Sequence, residues 1–558
     1  MCGITGFNFV TLDNRFLELT RHRGPDFSSK VEINGFTLGH NRLSIIDLSP
    51  KANQPFLTTD GNYAIVYNGE VYNFQEIRKT LENKYQFRSN GDAEVILFNY
   101  IEKGEKCLND FNGMFAFAIY DKPRQRLFAA RDRLGIKPFN YYWKDGKFIF
   151  ASEIKTILHL LKQKPEINHA AISQFLRYLY VPAPYTVYND ITKLLPAHYL
   201  ILENDKLTIN RYWDINSIKE NTTICENEIL DQLDHLLNDS IKNQMISDVE
   251  LGSFLSGGID SSTILYYMAR NSAKPVNTFT LTFPGEKHYD ESSDARIMAN
   301  YFGTNHREII IKPTITELLP KMVHYFDEPF GNPTALLIHE LTKETKKYAT
   351  VALAGDGGDE VFCGYPRYKA AMIAQQLKYV SPFFWKFVSV FTDCIPESTS
   401  GYHSLRRGKS FIRSLGLPSD LMYEDWVGYY TNREMNNLLV NPCSYDSVVK
   451  NIFNSLSDRT NLSKATITDL QTFLPYNVLA YGDAMSMANA FEVRVPLIDH
   501  RIVELLVSLP AKYKIRGNTT KYILRKLLKG KVPDEIINKP KQGLNPPLGS
   551  WLKSDLKP

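Results

Sequence analysis

The chain has 558 residues, 43% hydrophobic and 23% charged, a balance typical of a soluble globular protein large enough for two or more domains. Its net charge of only +4 and its lack of a dense lysine–arginine block argue against a nucleic-acid-binding protein. The N-terminus MCGITGF has no basic leader with an apolar core, so no secretory signal is indicated. Residues 381–396 are apolar but contain Lys386 and are shorter than the roughly 20 residues of a membrane span, which predicts a buried or amphipathic helix.

The cysteines are scattered, and none forms a CxxC pair or a cluster with metal-ligand spacing. Single thiols in a long chain without a leader are typical of reduced cytoplasmic proteins. We therefore predict a cytoplasmic protein with free thiols. The cysteines are Cys2, Cys107, Cys225, Cys363, Cys394 and Cys443.

The first 200 residues contain many short β-like runs separated by Gly, Asn, Asp or Pro. These runs include FTLGHNRLSIIDL, NYAIVYNGEVYN, MFAFAIYD, RLFAARD and KFIFASE. Between them, EVILFNYIEK and residues 169–178 have the pattern of helices. The pattern predicts an α+β domain rich in antiparallel sheet.

From about residue 224 the pattern changes to alternating strands and helices. VELGSF, VNTFTLTF, HREIIIKP and ATVALA are the predicted strands, and helical patterns lie between them. This order predicts an α/β domain with a doubly wound parallel sheet, followed from about residue 365 by a mostly helical part. We place the boundary in the polar stretch 207–223 and predict domains at 2–210 and 220–558.

Cys2 is a candidate N-terminal nucleophile. Because Cys is small, we expect Met1 to be removed, which leaves a free α-amine on a residue that carries a thiol. The pKa of a free thiol is about 8.5 and that of an α-amine about 8, so the amine can accept the thiol proton near neutral pH. By itself, a cysteine at this position is more often an ordinary thiol.

Other residues supply what a glutamine amidase needs beside Cys2. The Asn68 amide and the Gly69 N–H can form an oxyanion hole, because glycine allows a close backbone approach. Arg42 can bind a carboxylate with two hydrogen bonds, and Asp92 can bind an ammonium group. Each piece alone is also typical of a turn or of a satisfied polar core residue.

The motifs MCGITGF, RHRGPD, RLSIIDLS, YNGEVYN, GDAEVI, FNGMFAFAIYD, ARDRLGIKP and ASEIK occur in order over most of residues 2–205. In these motifs the chain resembles the glutaminase domain of class II glutamine amidotransferases. The resemblance implies an N-terminal-nucleophile (αββα) fold, with Cys2 as nucleophile and Asn68 and Gly69 as oxyanion donors. The glutamine contacts that it implies are Arg42, Leu43, Ser44, Ile45, Ile46, Asn68, Gly69, Glu70 and Asp92.

SGGIDSS, residues 256–262, lies between a predicted strand and a predicted helix. Gly257 and Gly258 free backbone N–H groups to face an anion, and the helix N-terminus adds partial positive charge. Asp260 can bind Mg²⁺, which prefers carboxylate and phosphate oxygens. The segment resembles the pyrophosphate loop of ATP pyrophosphatases, and the resemblance implies a phosphate-binding loop here.

A second acidic loop, GDGGDE at residues 355–360, follows the strand VALA. Asp359 is a candidate second Mg²⁺ ligand, and Asp356 is placed to orient or deprotonate an attacking amine. Lys521, which heads a basic helix, can neutralise departing pyrophosphate. A solvated acidic loop and a solvated basic helix face are the alternatives for these segments when each is taken alone.

SGGIDSS, GDGGDEVF, DAMSMA, EVRVPLID, TTKYILRK and KPKQG occur in the order seen in glutamine-hydrolysing asparagine synthetases, which the chain resembles over nearly its whole length. The resemblance implies an ATP- and Mg²⁺-dependent ligase that activates the aspartate side chain as an acyl-adenylate. Glutamine-derived ammonia, carried by an apolar internal channel, then yields asparagine, AMP and pyrophosphate. The implied ATP contacts are Leu255, Ser256, Gly257, Gly258, Asp260, Ser261, Ser262, Leu281, Ala354, Gly355 and Lys521.

Two departures from the family pattern leave alternatives open. Asp356 stands where many relatives have Glu, and Ala484 where many have Arg, as in relatives attached to surface-polysaccharide pathways. The acceptor is therefore either aspartate or another carboxylate, such as a sugar acid. A non-catalytic sensor is a third reading, but Cys2, Asp260 and Lys521 are all retained. We expect small-molecule substrates and no nucleic-acid or membrane partner, and the resemblance allows a homodimer.

Overall fold

The structure, a computed structural model, describes residues 2–286, 289–311, 315–377, 379–393, 403–440 and 443–553. Met1, Cys394 and the end of the apolar stretch 381–396 lie outside the described residues. Seventeen strands and twenty-four α-helices occur in the described part of the chain. Strands β1–β12 and helices α1–α5 come first, and β13–β17 with α6–α24 follow.

The first twelve strands form two six-stranded antiparallel sheets, with strand orders β10-β8-β9-β1-β3-β2 and β12-β11-β7-β6-β5-β4. Strands β1–β12 are Gly3–Phe7, Phe27–Ile33, Phe36–Arg42, Phe56–Leu57, Tyr63–Val71, Gly113–Asp121, Arg126–Arg131, Asn140–Lys144, Lys147–Ala151, Ile191–Lys193, His198–Glu203 and Lys206–Arg211. Helices α1–α5 are Arg15–Glu18, Phe74–Leu81, Ala93–Lys103, Ile154–Leu161 and His169–Tyr178.

The two sheets are stacked face to face, because alternate side chains of each strand point into a shared core. Ile4 and Leu38 of one sheet and Val66 and Ala118 of the other belong to this buried core. Helices α2 and α3 pack on the outer face of the second sheet, while α1 and α4 cover the first. The predicted αββα layering is confirmed, and so are the predicted helices at 169–178 and in EVILFNYIEK.

The second part of the chain is built on a five-stranded parallel sheet with strand order β15-β14-β13-β16-β17. Strands β13–β17 are Leu251–Phe254, Asn277–Thr282, Asn305–Ile310, Val351–Leu353 and Glu492–Arg494. In such a sheet, loops after the strands meet at the carboxyl edge, where ligands bind. The loops after β13 and β16, two central neighbours, therefore come together, as the predicted doubly wound sheet requires.

Helices surround this sheet and form the mostly helical C-terminal part. Helices α6–α15 are Glu226–Gln244, Ile259–Asn271, Ser292–Phe302, Ile315–Phe326, Thr334–Thr345, Gly358–Val361, Pro366–Gln376, Pro382–Asp393, His403–Ser414 and Ser419–Val427. Helices α16–α24 are Asn432–Leu438, Val448–Ser455, Asn461–Gln471, Leu479–Met487, His500–Ser508, Ala511–Lys514, Tyr522–Leu528, Asp534–Asn538 and Leu548–Lys553.

Helix α13 contains most of the apolar stretch, and of the two predicted alternatives, a buried or an amphipathic helix, the buried one is wrong. Phe383 is 82% exposed and Phe387 64% exposed, so an apolar face of the helix points to solvent. Among the described helices, none is both long enough and apolar enough to cross a bilayer.

The two domains meet along an apolar patch, here called the interface cluster. Its buried members are Leu43, Ile45, Tyr72 and Met114 of the first domain with Val351, Met487 and Ala490 of the second. Beside it, the buried Arg23 guanidinium pairs with Asp483 at 2.8 Å. Breaking a buried ion pair of this kind costs roughly 3–5 kcal/mol, so these contacts fix the relative position of the domains.

Candidate active sites

Cys2 lies immediately before β1 and is buried at the end of the stacked sheets. Its main-chain N–H donates to Asn68 Oδ1 at 2.9 Å, and Arg23 Nε donates to its carbonyl oxygen at 3.1 Å. Burial raises the pKa of the Cys2 thiol, while the Leu43 main-chain N–H and the charge of Arg42 act in the opposite direction. A buried thiol of this kind needs a nearby base to become a nucleophile.

Asn68 and Gly69 lie on β5 beside Cys2. Gly69 has φ of 152°, and a Cβ atom there would lie 2.0 Å from the carbonyl oxygen of Met114, so only glycine fits. Asn68 Nδ2 is buried and, within the described chain, has no hydrogen-bond partner. An orphaned buried N–H is costly, and a developing oxyanion would satisfy it.

Cys2 opens into a cavity of about 40 Å³ that also contains two buried carboxyl groups, those of Glu70 and Asp92. Burial, together with the negative charges of Asp92 and Glu492, raises the pKa of Glu70 well above its usual range. Burial also raises the pKa of Asp92, against the hydrogen bonds from the Tyr67 hydroxyl and the Val71 N–H. A cationic group bound between these carboxyls would restore their charge, as an amino-acid ammonium does.

The Arg42 guanidinium, predicted to bind a substrate carboxylate, is hydrogen-bonded to the loop after β3. Its two Nη atoms donate to the carbonyl oxygens of Ser49 at 3.0 Å and Ile46 at 3.3 Å, to that of Asp47, and to Asn53 Oδ1 at 2.8 Å. The guanidinium therefore holds the loop after β3 in shape, and this loop forms one wall of the cavity.

Most of the predicted glutamine contacts line the Cys2 cavity, and two do not. Those that line it are Arg42, Leu43, Ile45, Ile46, Gly69, Glu70 and Asp92. Asn68 reaches Cys2 by a hydrogen bond without lining the cavity, and Ser44 instead donates its N–H to Asp26 at 2.8 Å. Gln54 and Ser89 line the cavity but were missed, although Gln54 stands in the QP that follows RLSIIDLS.

The second site lies at the carboxyl edge of the parallel sheet. The SGGIDSS segment leads from β13 into α7. Gly257 has a φ of 68°, and a Cβ atom added at this position would lie only 2.4 Å from the Asp294 Cβ, so a larger residue does not fit. The Ser256 and Ser261 hydroxyls lie 3.2 Å apart in this loop. Glycine backbone, hydroxyls and the N-terminus of a 13-residue helix together form an anion-binding cradle.

Asp359 is the centre of an ion-pair cluster in this site. Lys521 Nζ lies 2.6 Å from Asp359 Oδ1 and also pairs with Asp260, and Lys541 Nζ lies 2.5 Å from Asp359 Oδ2. Burial opposes the ionisation of Asp359, but the two ammonium groups hold its pKa at about 2. Lys521 has a φ of 53°, a backbone conformation that non-glycine residues adopt at a cost and that is common at functional sites.

The negative charges of Asp356 and Asp260 are less well compensated by neighbouring ammonium groups than the charge of Asp359. Burial raises the pKa of Asp356 to about 6, with Lys541 as the main opposing charge. Burial also raises the pKa of Asp260, and Asp260 Oδ1 has no hydrogen-bond partner among the residues that the structure describes. The site therefore holds carboxylate oxygens that a cation can still bind.

Asp260 and Asp359 suit a Mg²⁺ ion whose shell is completed by phosphate oxygens, rather than a metal centre built from protein side chains alone. In the described part of the chain, no group of three or more His, Cys, Asp or Glu side chains is arranged to hold a metal. Mg²⁺ is commonly bound by one or two carboxylates with phosphate oxygens completing its shell. Asp260, with its orphaned oxygen, and Asp359 match that donor set.

The cradle and the acidic loop line one cavity of about 310 Å³. Of the predicted residues, those that line it are Leu255, Ser256, Asp260, Ser261, Leu281, Ala354, Gly355, Asp356 and Asp359. Four of the predicted residues do not line the cavity: Gly257, Gly258, Ser262 and Lys521. Ser262 is completely buried. Lys541 of the KPKQG motif lines the cavity too, although no role was predicted for it from the sequence.

A buried polar contact across the domain interface joins the Cys2 cavity to strand β17 of the second domain. Arg494 of β17 lies 3.5 Å from Glu70 of the Cys2 cavity and 2.6 Å from Glu492. The arginine of the EVRVPLID motif thus contacts a residue of the first site.

Two family models match the chain: "Glutamine amidotransferase domain" over residues 1–213 and "Asparagine synthase" over residues 232–558. Asparagine synthetase [glutamine-hydrolyzing] 1 of Bacillus subtilis is 32% identical over 100% of this chain and 88% of its own length. Asparagine synthetase [glutamine-hydrolyzing] 3 of the same species is 31% identical over 97% of this chain and 86% of its own length. An enzyme of Penicillium rubens named Amidase chyE is 29% identical over 96% of this chain and 84% of its own length.

Proposed function

Because the chain belongs to the asparagine synthase family, with a glutamine amidotransferase domain ahead of the synthase domain, we propose that it is a glutamine-hydrolysing asparagine synthetase. It is an ATP-dependent ligase, and the reaction that we propose turns glutamine, aspartate and ATP into glutamate, asparagine, AMP and pyrophosphate. The observation that carries the proposal is the presence of two complete sites in one chain, with Cys2 in one and the Asp260–Lys521–Asp359 cluster in the other. A sensor that does not turn over glutamine would need neither site intact.

In the first site, the Cys2 sulfur attacks the side-chain amide carbon of glutamine. With Met1 removed, the α-amine of Cys2 accepts the thiol proton and passes it to the leaving ammonia. Asn68 Nδ2, which lacks another partner among the described residues, and the Gly69 N–H stabilise the tetrahedral oxyanion. Glu70 and Asp92 bind the α-ammonium of glutamine, and water then hydrolyses the glutamyl thioester to glutamate.

In the second site, a carboxylate oxygen of the acceptor attacks the α-phosphorus of ATP, and pyrophosphate leaves. The loop at 256–262 and Lys521 bind the phosphates, while Asp260 and Asp359 would hold Mg²⁺, which supplies charge neutralisation when bound. Ammonia attacks the activated acyl carbon, and AMP leaves as the amide forms. Asp356, which lines the same cavity, accepts a proton from the attacking nitrogen in this proposal.

The predicted ammonia channel would run through the interface cluster. Leu43, Ile45 and Met114 face Met487 and Ala490 there, and apolar walls of this kind keep ammonia unprotonated. With glutamine labelled by ¹⁵N at its amide and an equal concentration of unlabelled ammonium in solution, we expect nearly all product amide to carry ¹⁵N. Label diluted by half would show that ammonia mixes with solvent, and the channel proposal would be wrong.

The acceptor is the substrate that the family leaves open, because its members carry the names asparagine synthetase and amidase. Asp356, one methylene shorter than Glu, and Ala484, which lines a cavity between the domains, favour a second candidate: a sugar acid or another carboxylate of surface-polysaccharide synthesis. ATP–pyrophosphate exchange across aspartate, uronic acids and other carboxylates separates the two.

We expect exchange with aspartate and asparagine as the amide product. AMP and pyrophosphate without asparagine would reject aspartate as acceptor, and exchange that depends only on aspartate would reject the second candidate. The cytoplasmic location, the homodimer and the absence of nucleic-acid and membrane partners stay predictions.

A further inference from the structure

Helix α13 has an apolar face that points to solvent. The face consists of Phe383, Phe384, Phe387, Val390 and Phe391, and each of these side chains is more than half exposed. Their spacing of i, i+1, i+4, i+7 and i+8 places all five on one side of the helix. Apolar side chains scattered singly over a surface need no explanation, whereas a contiguous exposed patch marks an interaction site.

Helix α14 connects α13 to the rest of the second domain. The two helices contact each other, and they are called the α13–α14 pair below. The indole N–H of Trp426, on α15, donates to Ser414 Oγ of α14 at 2.7 Å, and the Trp426 and Phe411 rings lie 5.8 Å apart. The pair is therefore fixed to the domain through α14, which leaves the apolar face of α13 on the outside.

The net charge of the whole chain is concentrated in the segment that contains the α13–α14 pair. Residues 378–414 include six Lys or Arg and two Asp or Glu, which gives a net charge of +4. The complete chain has 65 Lys and Arg and 61 Asp and Glu, so the remainder has 59 of each and is neutral. An apolar face within a basic segment suits a surface that is both apolar and anionic.

We propose that the α13–α14 pair is a docking surface for the anionic face of a lipid bilayer. The aromatic face of α13 would be buried at the boundary between headgroups and acyl chains, while the positive charge of the segment attracts the lipid phosphates. A helix that lies in this boundary needs one apolar face only, so the absence of a spanning helix from the described residues does not bear on it. The proposal opposes the sequence-based prediction of no membrane partner.

A second copy of the chain fits the apolar face less well than a bilayer does. Pairing two copies through α13 would bring two segments of net charge +4 together, and like charges that face each other oppose association. An anionic lipid surface removes the apolar face from water and neutralises the positive charge at the same time.

Docking of this kind is separate from the proposed reaction. No described residue of α13 or α14 lines the Cys2 cavity or the nucleotide cavity. Substitutions on the apolar face are therefore expected to change where the enzyme is bound and to leave its two activities unchanged in vesicle-free solution.

The test is sedimentation of the full chain with sucrose-loaded vesicles of phosphatidylcholine alone, or of equal parts phosphatidylcholine and phosphatidylglycerol. We expect binding to the anionic vesicles, weaker binding to phosphatidylcholine alone, and release at high salt, because salt screens the charge attraction. Phe383→Ser/Phe387→Ser should lower the partition coefficient at least about 10-fold, since two aromatic side chains no longer enter the bilayer.

Leu319→Ser/Val323→Ser is the matched control, because it removes two exposed apolar side chains at the same i, i+4 spacing from another helix, α9. This control should bind vesicles within about 2-fold of wild type, as exposed substitutions outside the docking surface do little. Glutaminase activity and ATP–pyrophosphate exchange, measured without vesicles, should be the same in both variants and in wild type. Failure of the proposed function would appear in these assays and not in the sedimentation.

Wild-type protein that does not sediment with either kind of vesicle would overturn the proposal. Equal binding by the α13 and α9 variants would overturn it too, as would equal binding of wild type to the two kinds of vesicle. If wild type is a dimer in analytical ultracentrifugation and Phe383→Ser/Phe387→Ser is a monomer, a second copy covers the face, and the bilayer assignment is wrong.

Discussion

Replacing Cys2 with alanine is expected to lower glutamine hydrolysis and glutamine-driven amide synthesis by at least about 1,000-fold, because the covalent nucleophile is lost. Ammonia-driven synthesis with the same acceptor and ATP should remain within about 3-fold of wild type. The reason is structural: Cys2 lies in its own cavity, and the nucleotide cavity is lined by residues of the other domain. Glutamate release and amide formation, each measured with glutamine and with ammonium chloride, check this result.

Cys225→Ala is the matched control, since this thiol is free and exposed at the start of α6. It should retain both glutamine- and ammonia-driven activity. If Cys2→Ala still hydrolyses glutamine at the wild-type rate, Cys2 is not the nucleophile. If it loses ammonia-driven synthesis as well, its role in the structure is larger than the nucleophile assignment allows, and the thermal unfolding midpoint then shows whether folding is impaired.

Asp356→Asn should lose amide synthesis and keep glutaminase activity, whereas Cys2→Ala should lose glutaminase activity and keep ammonia-driven synthesis. The carboxylate is proposed to accept a proton from the attacking nitrogen, so its loss should lower amide synthesis about 100- to 10,000-fold with either nitrogen source. Glutaminase activity should remain, because Asp356 does not line the Cys2 cavity. Asp356→Glu, which restores the side chain found in many relatives, is the control and should retain measurable synthesis. Full synthesis by Asp356→Asn would remove this residue from the mechanism.

The pH dependence of synthesis gives a second check on Asp356. Burial raises the pKa of this carboxyl to about 6, so the group is an ionised base above that pH and becomes protonated below it. Ammonia-driven synthesis, corrected for the concentration of free ammonia, should therefore fall as the pH drops through about 6. This fall in rate at low pH should be absent from the residual activity of Asp356→Asn. If the variant shows the same fall in rate, another group titrates in this pH range.

Sequence patterns predicted the layers and the loops of this protein because those depend on local properties. Alternating apolar residues specify strands such as Tyr63–Val71, and the 3.6-residue period specifies helices such as His169–Tyr178. Gly69 and Gly257 were predictable as close-approach positions, since both sit in motifs where backbone N–H groups must face an anion. The burial that was one of the two alternatives predicted for α13 is not found, because an apolar pattern does not tell whether a neighbouring element covers the helix.

The sequence by itself determined the two folds, and it predicted the nucleophile and the phosphate loop, which are encoded in contiguous residues. Only the tertiary structure decided which distant charges meet. Arg23 pairs with Asp483 across 460 positions, Arg494 reaches Glu70 from the other domain, and Lys541 reaches Asp359. It also showed that the Arg42 guanidinium holds the loop after β3 by hydrogen bonds. The physical reason is that a buried charge takes whichever partner the packing of whole domains brings within about 4 Å, and no local pattern encodes that partner.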